Sequence, residues 1–193
     1  MDKPAMERDS LRLFVALWLP APLNRAVLAH LDELRRGSRG VRWVRPEQLH
    51  LTLKFLGETP RTELPQLFSA LAEVAATTRP FSLKLAPGGV FPPSGPPRGV
   101  WRGVTPEEEG AVLAGRVEEA LIPLGHPPEK RPFRAHLTLG RAEPGAVFDR
   151  ALLGRDITAG PAVVGRLSLV RSELRPRGPV YTTLREWPLV GRE

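Results

Sequence analysis

The tetrapeptide HLTL stands twice in this 193-residue chain, at residues 50–53 and 136–139, and each copy prescribes a strand with two unlike faces. Side chains alternate along a strand, so His50 and Thr52 share one face about 7 Å apart while Leu51 and Leu53 take the other. His136 and Thr138 stand against Leu137 and Leu139 in the same way. A fold that keeps both strands must bury two pairs of leucines and leave two imidazoles and two hydroxyls on its wet side. With only four histidines in the chain, chance would give two of them a threonine two places on about 1 to 2% of the time. Two ordinary half-buried strands are the plain alternative.

Around these copies the periodicity predicts a mixed chain. Residues 11–20, LRLFVALWLP, form a continuous apolar run bounded by prolines and read as a buried strand. Leu23, Val27, Leu28, Leu31 and Leu34 recur at helical spacing, with Gly37 as the stop. Short strands follow over 41–45 and 50–57, then a helix between Arg61 and Thr78 with Leu64, Leu67, Phe68, Leu71, Val74 and Ala75 on one face. Strands over 81–91 and 99–104 flank a Pro/Gly loop, PPSGPPRG. A third helix over 107–125 carries acidic residues at its positive end, and 146–156 predicts a short fourth. The segments 162–174 and 180–190 read as strands joined by the turn RPRGP.

This order implies an α+β architecture with mainly antiparallel pairing. Each half holds one HLTL strand, so two lobes in a pseudo-twofold arrangement are expected within residues 1–193. No apolar run approaches the roughly 18 residues of a membrane span, and the charged amino terminus lacks signal-peptide features. A cytoplasmic protein without a membrane partner is expected. The chain has no cysteine, which removes disulfides, thiolate metal sites and cysteine nucleophiles.

The formal charge of +7 comes mainly from arginine, since Lys3, Lys54, Lys84 and Lys130 are the only lysines. Arginine forks onto phosphate, and a basic balance points to a polyanion such as RNA, DNA or a nucleotide. A compositional bias toward arginine, proline and alanine explains the charge equally well.

If the HLTL strands converge across a groove, two imidazoles suit acid–base work on one substrate, one taking a proton and the other giving one. Two hydroxyls and nearby arginines suit the nonbridging oxygens of a phosphate. Such a phosphoester site needs no metal. A zinc site is disfavoured, because His30 falls within a predicted helix and His126 in a proline loop, where structural or solvent-exposed roles are expected. No Walker loop is present, and no K-x-D-G segment of the kind that forms a lysine adenylate, so ATP-driven ligation is also disfavoured. The loop over 92–99 is expected only as a rim. Of the tryptophans, Trp18 is expected in the core, while Trp43 and Trp101 are candidate groove residues. Arg171, Arg175 and Arg177 belong either to an RNA-backbone contact or to a solvated hairpin turn.

The two HLTL copies, with RLFVALWLP, HLTLKFLGE, FRAHLTLGRA and RSELRPRGPVYTTL, resemble the two-histidine phosphoesterases. Within them they are most similar to the bacterial and archaeal 2′-5′ RNA ligase, or RNA 2′,3′-cyclic phosphodiesterase, family. The resemblance implies a bilobal fold of two mainly antiparallel sheets, helices outside and the two motifs meeting in a central groove. It implies hydrolysis of a 2′,3′-cyclic phosphate at an RNA 3′ end to a 2′-phosphate, tRNA fragments included among the RNAs. The same site can join such an end to a 5′-hydroxyl as a 2′-5′ linkage. It further implies His50 as general acid and His136 as general base, Thr52, Thr138 and Arg141 on the phosphate, and Phe55 stacked on the terminal base, with no cofactor and no obligatory protein partner. Small cyclic nucleotides, or binding of an RNA end without turnover, are the alternatives. Phe55 and Arg141 each lie five places after a histidine, which in a regular strand is the opposite face. A bulge or a strand end must turn them inward.

Overall fold

The computed structural model describes residues 9–176 and 178–191. Nine strands are named here in chain order: β1 Ser10–Trp18, β2 Arg39–Trp43, β3 His50–Pro60, β4 Phe81–Phe91, β5 Gly99–Thr105, β6 His136–Val147, β7 Ala162–Val164, β8 Arg166–Arg175 and β9 Gly178–Pro188. Three helices accompany them: α1 Ala21–Arg35, α2 Leu64–Thr77 and α3 Glu107–Leu121. Every strand pair is antiparallel, in the order β7-β4-β5-β6-β3-β1-β8-β9, with β2 also on β6. The α+β architecture follows the expectation, and where two sheets are expected the strands form one continuous nine-stranded antiparallel sheet, one lobe of it running from β3 to β9 and the other from β6 to β7.

The two halves of the sheet meet at one place. Leu51 of β3 pairs with Leu137 of β6, and beyond it β3 leaves for β1 while β6 runs on beside β2. The apolar stripe of each HLTL copy causes this seam, because Leu51, Leu53, Leu137 and Leu139 all enter the main core.

A second constraint comes from residues 162–174, where one strand is expected and two are found. Gly165 alone separates β7, which pairs with β4 at one edge of the sheet, from β8, which pairs with β1 near the other. One residue spans less than about 4 Å, so the sheet curls until these strands approach. Its apolar face is enclosed, and the periodic faces of the helices fill it: Leu23, Val27, His30, Leu31 and Leu34 of α1, Leu67, Leu71, Val74 and Ala75 of α2, and Leu113, Val117 and Leu121 of α3. The first turn of α3 carries Glu107, Glu108 and Glu109, where carboxylates complement the helix dipole.

The predicted fourth helix is not α-helical. Ala146 and Val147 continue β6, and residues 150–154 form a 3-10 turn capped by the Asp149 carboxylate, which accepts from the Ala151 amide. The buried guanidinium of Arg102 holds that turn, donating to the carbonyls of Leu153 at 3.0 Å and Arg155 at 2.6 Å. A long-range bond to main chain, invisible to periodicity, selected the shorter turn. Among the described residues no helix is long and apolar enough to cross a membrane.

The seam is testable by deletion. Leu137 is fully buried, and Leu137→Ala is expected to lower stability by about 2–5 kcal/mol in urea unfolding, the cost of a cavity in a packed core. A loss near zero would show that the lobes are not held together there.

Candidate functional site

On the face opposite the leucines, the seam gathers the polar halves of both HLTL copies. In the antiparallel register set by Leu51 and Leu137, His50 lies across from Thr138 and His136 across from Thr52. Leu51 with Leu137 is the one pair between β3 and β6 among the described residues, so the strands part beyond it, and the space between their histidine faces is the candidate groove. Neither threonine hydroxyl is bound by another group among the described residues, so both are free for a ligand.

The two imidazoles are held in the same manner. Nδ1 of His50 lies 2.7 Å from the Gln48 carbonyl and Nδ1 of His136 lies 2.8 Å from the Arg134 carbonyl. A carbonyl only accepts, so in the neutral ring Nδ1 carries the proton and Nε2 keeps the lone pair. Gln48 is itself a fixed point. Its side chain accepts from the Arg45 amide at 2.8 Å and donates to the Pro179 carbonyl at 2.7 Å, fastening the start of β3 to β9.

The surroundings of the rings differ. His50 is walled by Phe14, Trp18 and Tyr181, with ring centroids at 4.9, 5.6 and 5.2 Å. His136 stands beside Phe91 at 5.4 Å and Trp101 at 6.4 Å. The aromatic wall lowers the His50 pKa from 6.5 to about 4, through burial first, with the charge of His136 adding to the depression and the bond to Gln48 opposing it. His50 is therefore neutral at neutral pH. Burial pushes the Tyr181 phenol above its usual value, and the guanidinium groups of Arg141 and Arg12 pull against that. Arg141 of one lobe thus acts on the wall of the histidine belonging to the other.

Phe55 and Arg141 reach the histidine face by the same device. In β3 the register slips so that Ala16 pairs with Thr52 and Val15 with Lys54, leaving Leu53 unpaired. In β6 Trp101 pairs with Thr138 and Val100 with Gly140, leaving Leu139 unpaired. Each bulge puts two successive residues on the core side, Leu53 with Lys54 and Leu139 with Gly140, and the next residue returns to the groove side. Phe55 is 63% exposed, so the core role is excluded. Gly140 has no room for a side chain, since a Cβ there would lie 2.9 Å from the Trp43 ring.

Other candidates lie elsewhere. His30 lies on the buried face of α1, its pKa lowered by burial and then by Arg102. His126 faces Glu63 at 3.4 Å. Trp43 packs on Phe148 and donates to the Ser38 hydroxyl, a structural position. Trp18, expected in the main core, belongs instead to a small cluster with Phe14, Ala16, Val170 and Tyr181, and donates to the Thr183 hydroxyl. β1 is buried on both faces, which hides alternation in its sequence. Arg171 and Arg175 both pair with Glu173, and Arg177 lies outside the described residues. Sequence reasoning misses Tyr181, Phe14 and Phe91 as site residues, because contacts across strands leave no local pattern. The stretch VYTTL, which holds Tyr181, carries the one available signal.

The chain is similar to known proteins over nearly its whole length. Residues 17–101 match the family described as LigT like phosphoesterase. A Thermus thermophilus protein named RNA 2′,3′-cyclic phosphodiesterase is 39% identical over 189 residues, covering 94% of this chain and 91% of the relative. One of the same name from Archaeoglobus fulgidus is 40% identical over 177 residues, covering 91% and 98%. Among solved structures, TT0787 of T. thermophilus matches with a TM-score of 0.81 at 33% identity, covering 95% of this chain and all of that one. E. coli LigT complexed with 3′-AMP matches with a TM-score of 0.73 at 26% identity, covering 93% and 98%.

The depressed His50 has a consequence for stability. A folded-state pKa near 4 against 6.5 in the unfolded chain means that the unfolded chain binds this proton first, so stability falls as pH drops from about 6.5 toward about 4. Relative to His50→Gln, the wild type is expected to lose stability across that window in urea titrations at successive pH values. Parallel curves would mean that His50 is not desolvated.

Proposed function

This chain belongs to the LigT-like phosphoesterases, and we propose that it is an RNA 2′,3′-cyclic phosphodiesterase whose two lobes, over residues 1–193, work as one catalytic unit. The observation that carries the reading is the Leu51–Leu137 pair, which supports it by bringing the two HLTL strands side by side with their leucines in one core. The tethered Nδ1 of each ring supports it, since both leave Nε2 for the substrate.

In the proposed reaction a water oxygen attacks the phosphorus of the cyclic ester while one imidazole takes its proton. The bond from phosphorus to O3′ breaks, and the other imidazole gives O3′ a proton. A 2′-phosphate and a free 3′-hydroxyl result, with one water added. The hydroxyls of Thr52 and Thr138 donate to the nonbridging oxygens, Arg141 offsets their charge, and Phe55 presents its face to the terminal base. A 5′-hydroxyl in place of water forms a 2′-5′ linkage, so ligase activity belongs to the same proposal. No step requires a metal ion, because acid, base and anion-binding groups are all side chains. A cytoplasmic location is kept with the reading, and tRNA fragments with cyclic ends are the RNAs to try first.

The roles implied by the family make His136 the base and His50 the acid. His50 is neutral in the free protein, so it needs the substrate to bring it charged. A phosphate anion between the rings does this, opposing both the burial and the repulsion from His136.

The decisive assay incubates EDTA-treated protein with an RNA oligonucleotide ending in a 2′,3′-cyclic phosphate and identifies the product terminus. A 2′-phosphate is expected, with turnover reduced about 10²–10⁴-fold in His50→Ala and His136→Ala, the size of a lost acid or base. Full activity in both variants overturns the mechanism.

A pH series separates free from bound His50. The kcat/KM profile, which reports the free protein, should show a group titrating near 4, and the kcat profile the same group displaced upward. Coincident profiles would remove the charging of His50 by substrate.

A further inference from the structure

A cleft of about 500 Å³ is lined by Lys54, Phe55, Leu56, His126, Lys130 and Arg131, with Glu129 the one carboxylate along it. Its outer wall is the loop between α3 and β6, which is fastened from beneath. Lys54, buried to 1% exposure of its side chain, pairs with Glu118 at 3.3 Å and donates to the Pro127 carbonyl at 2.7 Å. The other side of that ion pair accepts from the Glu129 amide. A buried ion pair thus grips the loop at two points, and the cleft is formed before any ligand arrives.

The bulge in β3 shapes both features at once. It turns Lys54 into the core, where its charge is consumed in holding the loop, and turns Phe55 outward, where it lines the cleft. Phe55 stands 6.1 Å from Phe14, which is 4.9 Å from His50, so aromatic rings lead from the histidine to the mouth of the cleft. Lys130 and Arg131 make no ion pair with a carboxylate among the described residues. An exposed aromatic face beside two unpaired cations suits a base and a phosphodiester.

We infer that this cleft is an RNA subsite: it takes the nucleotide on the 5′ side of the terminal cyclic nucleotide, its phosphodiester resting on Lys130 and Arg131 while Phe55 is the stacking surface at the junction. This rests on the proposed function and deepens it, because it makes the substrate an RNA strand rather than a single nucleotide.

The test compares a nucleoside 2′,3′-cyclic phosphate with a trinucleotide bearing the same end. Wild-type kcat/KM should favour the trinucleotide about tenfold, and K130A/R131A should remove that advantage, leave the mononucleotide within about twofold, and flatten the salt dependence by one to two in log–log slope. Equal losses on both substrates, or a trinucleotide advantage that survives the double substitution, overturn the subsite. If wild-type protein hydrolyses neither substrate, the proposed function fails, and fluorescence anisotropy with a labelled trinucleotide ending in a 2′-phosphate decides the subsite alone. Binding weakened about tenfold in K130A/R131A supports it, and unchanged binding overturns it.

Discussion

The whole of the proposed site depends on one strand contact, the antiparallel meeting of Leu51 with Leu137. Burying leucines from both HLTL copies in one core is favourable in itself, since each fully buried leucine side chain contributes about 1.5–3 kcal/mol. Alternation converts that burial into chemistry. Once the leucines face the core, the histidines and threonines must face the other way, and because the pair is antiparallel, each histidine is presented to the threonine of the other copy. The hydrophobic effect therefore assembles a polar site that contributes little to stability on its own account.

The same economy governs Phe55 and Arg141. A regular strand would have sent both into the core, where an arginine without partners is expensive. One unpaired leucine in each strand reverses the parity, and the two bulges occupy the same place relative to their histidines. The lobes differ in the residue that each bulge adds to the core side. In one it is Lys54, which needs Glu118 and a carbonyl to be buried. In the other it is Gly140, where the Trp43 ring leaves no space. The two matching bulges are thus used differently by the side chains.

Electrostatic asymmetry follows from packing. The aromatic wall of Phe14, Trp18 and Tyr181 withdraws His50 from water and keeps it neutral, while the bond from its Nδ1 to the Gln48 carbonyl fixes which nitrogen keeps its lone pair. Gln48 ties that arrangement to β9, the strand that carries Tyr181. The ring, its wall and its tether are one mechanical unit built from three separate stretches of chain.

The sequence by itself determined the alternating faces of the HLTL strands, with His50 beside Thr52 and His136 beside Thr138, the three amphipathic helices and the antiparallel α+β class. These follow from local periodicity, which a strand or helix obeys wherever it packs. It also posed the parity problem of Phe55 and Arg141 and named a bulge as its solution. Only the tertiary structure decided that Gly165 divides one expected strand between opposite ends of the sheet, that Arg102 holds residues 150–154 in a 3-10 turn, and that Trp18 stands beside His50 while Trp43 does not. The physical reason is common to all three. Each outcome is set by which distant strand becomes the neighbour, and that choice depends on burying the whole apolar surface at once rather than on any short run of residues.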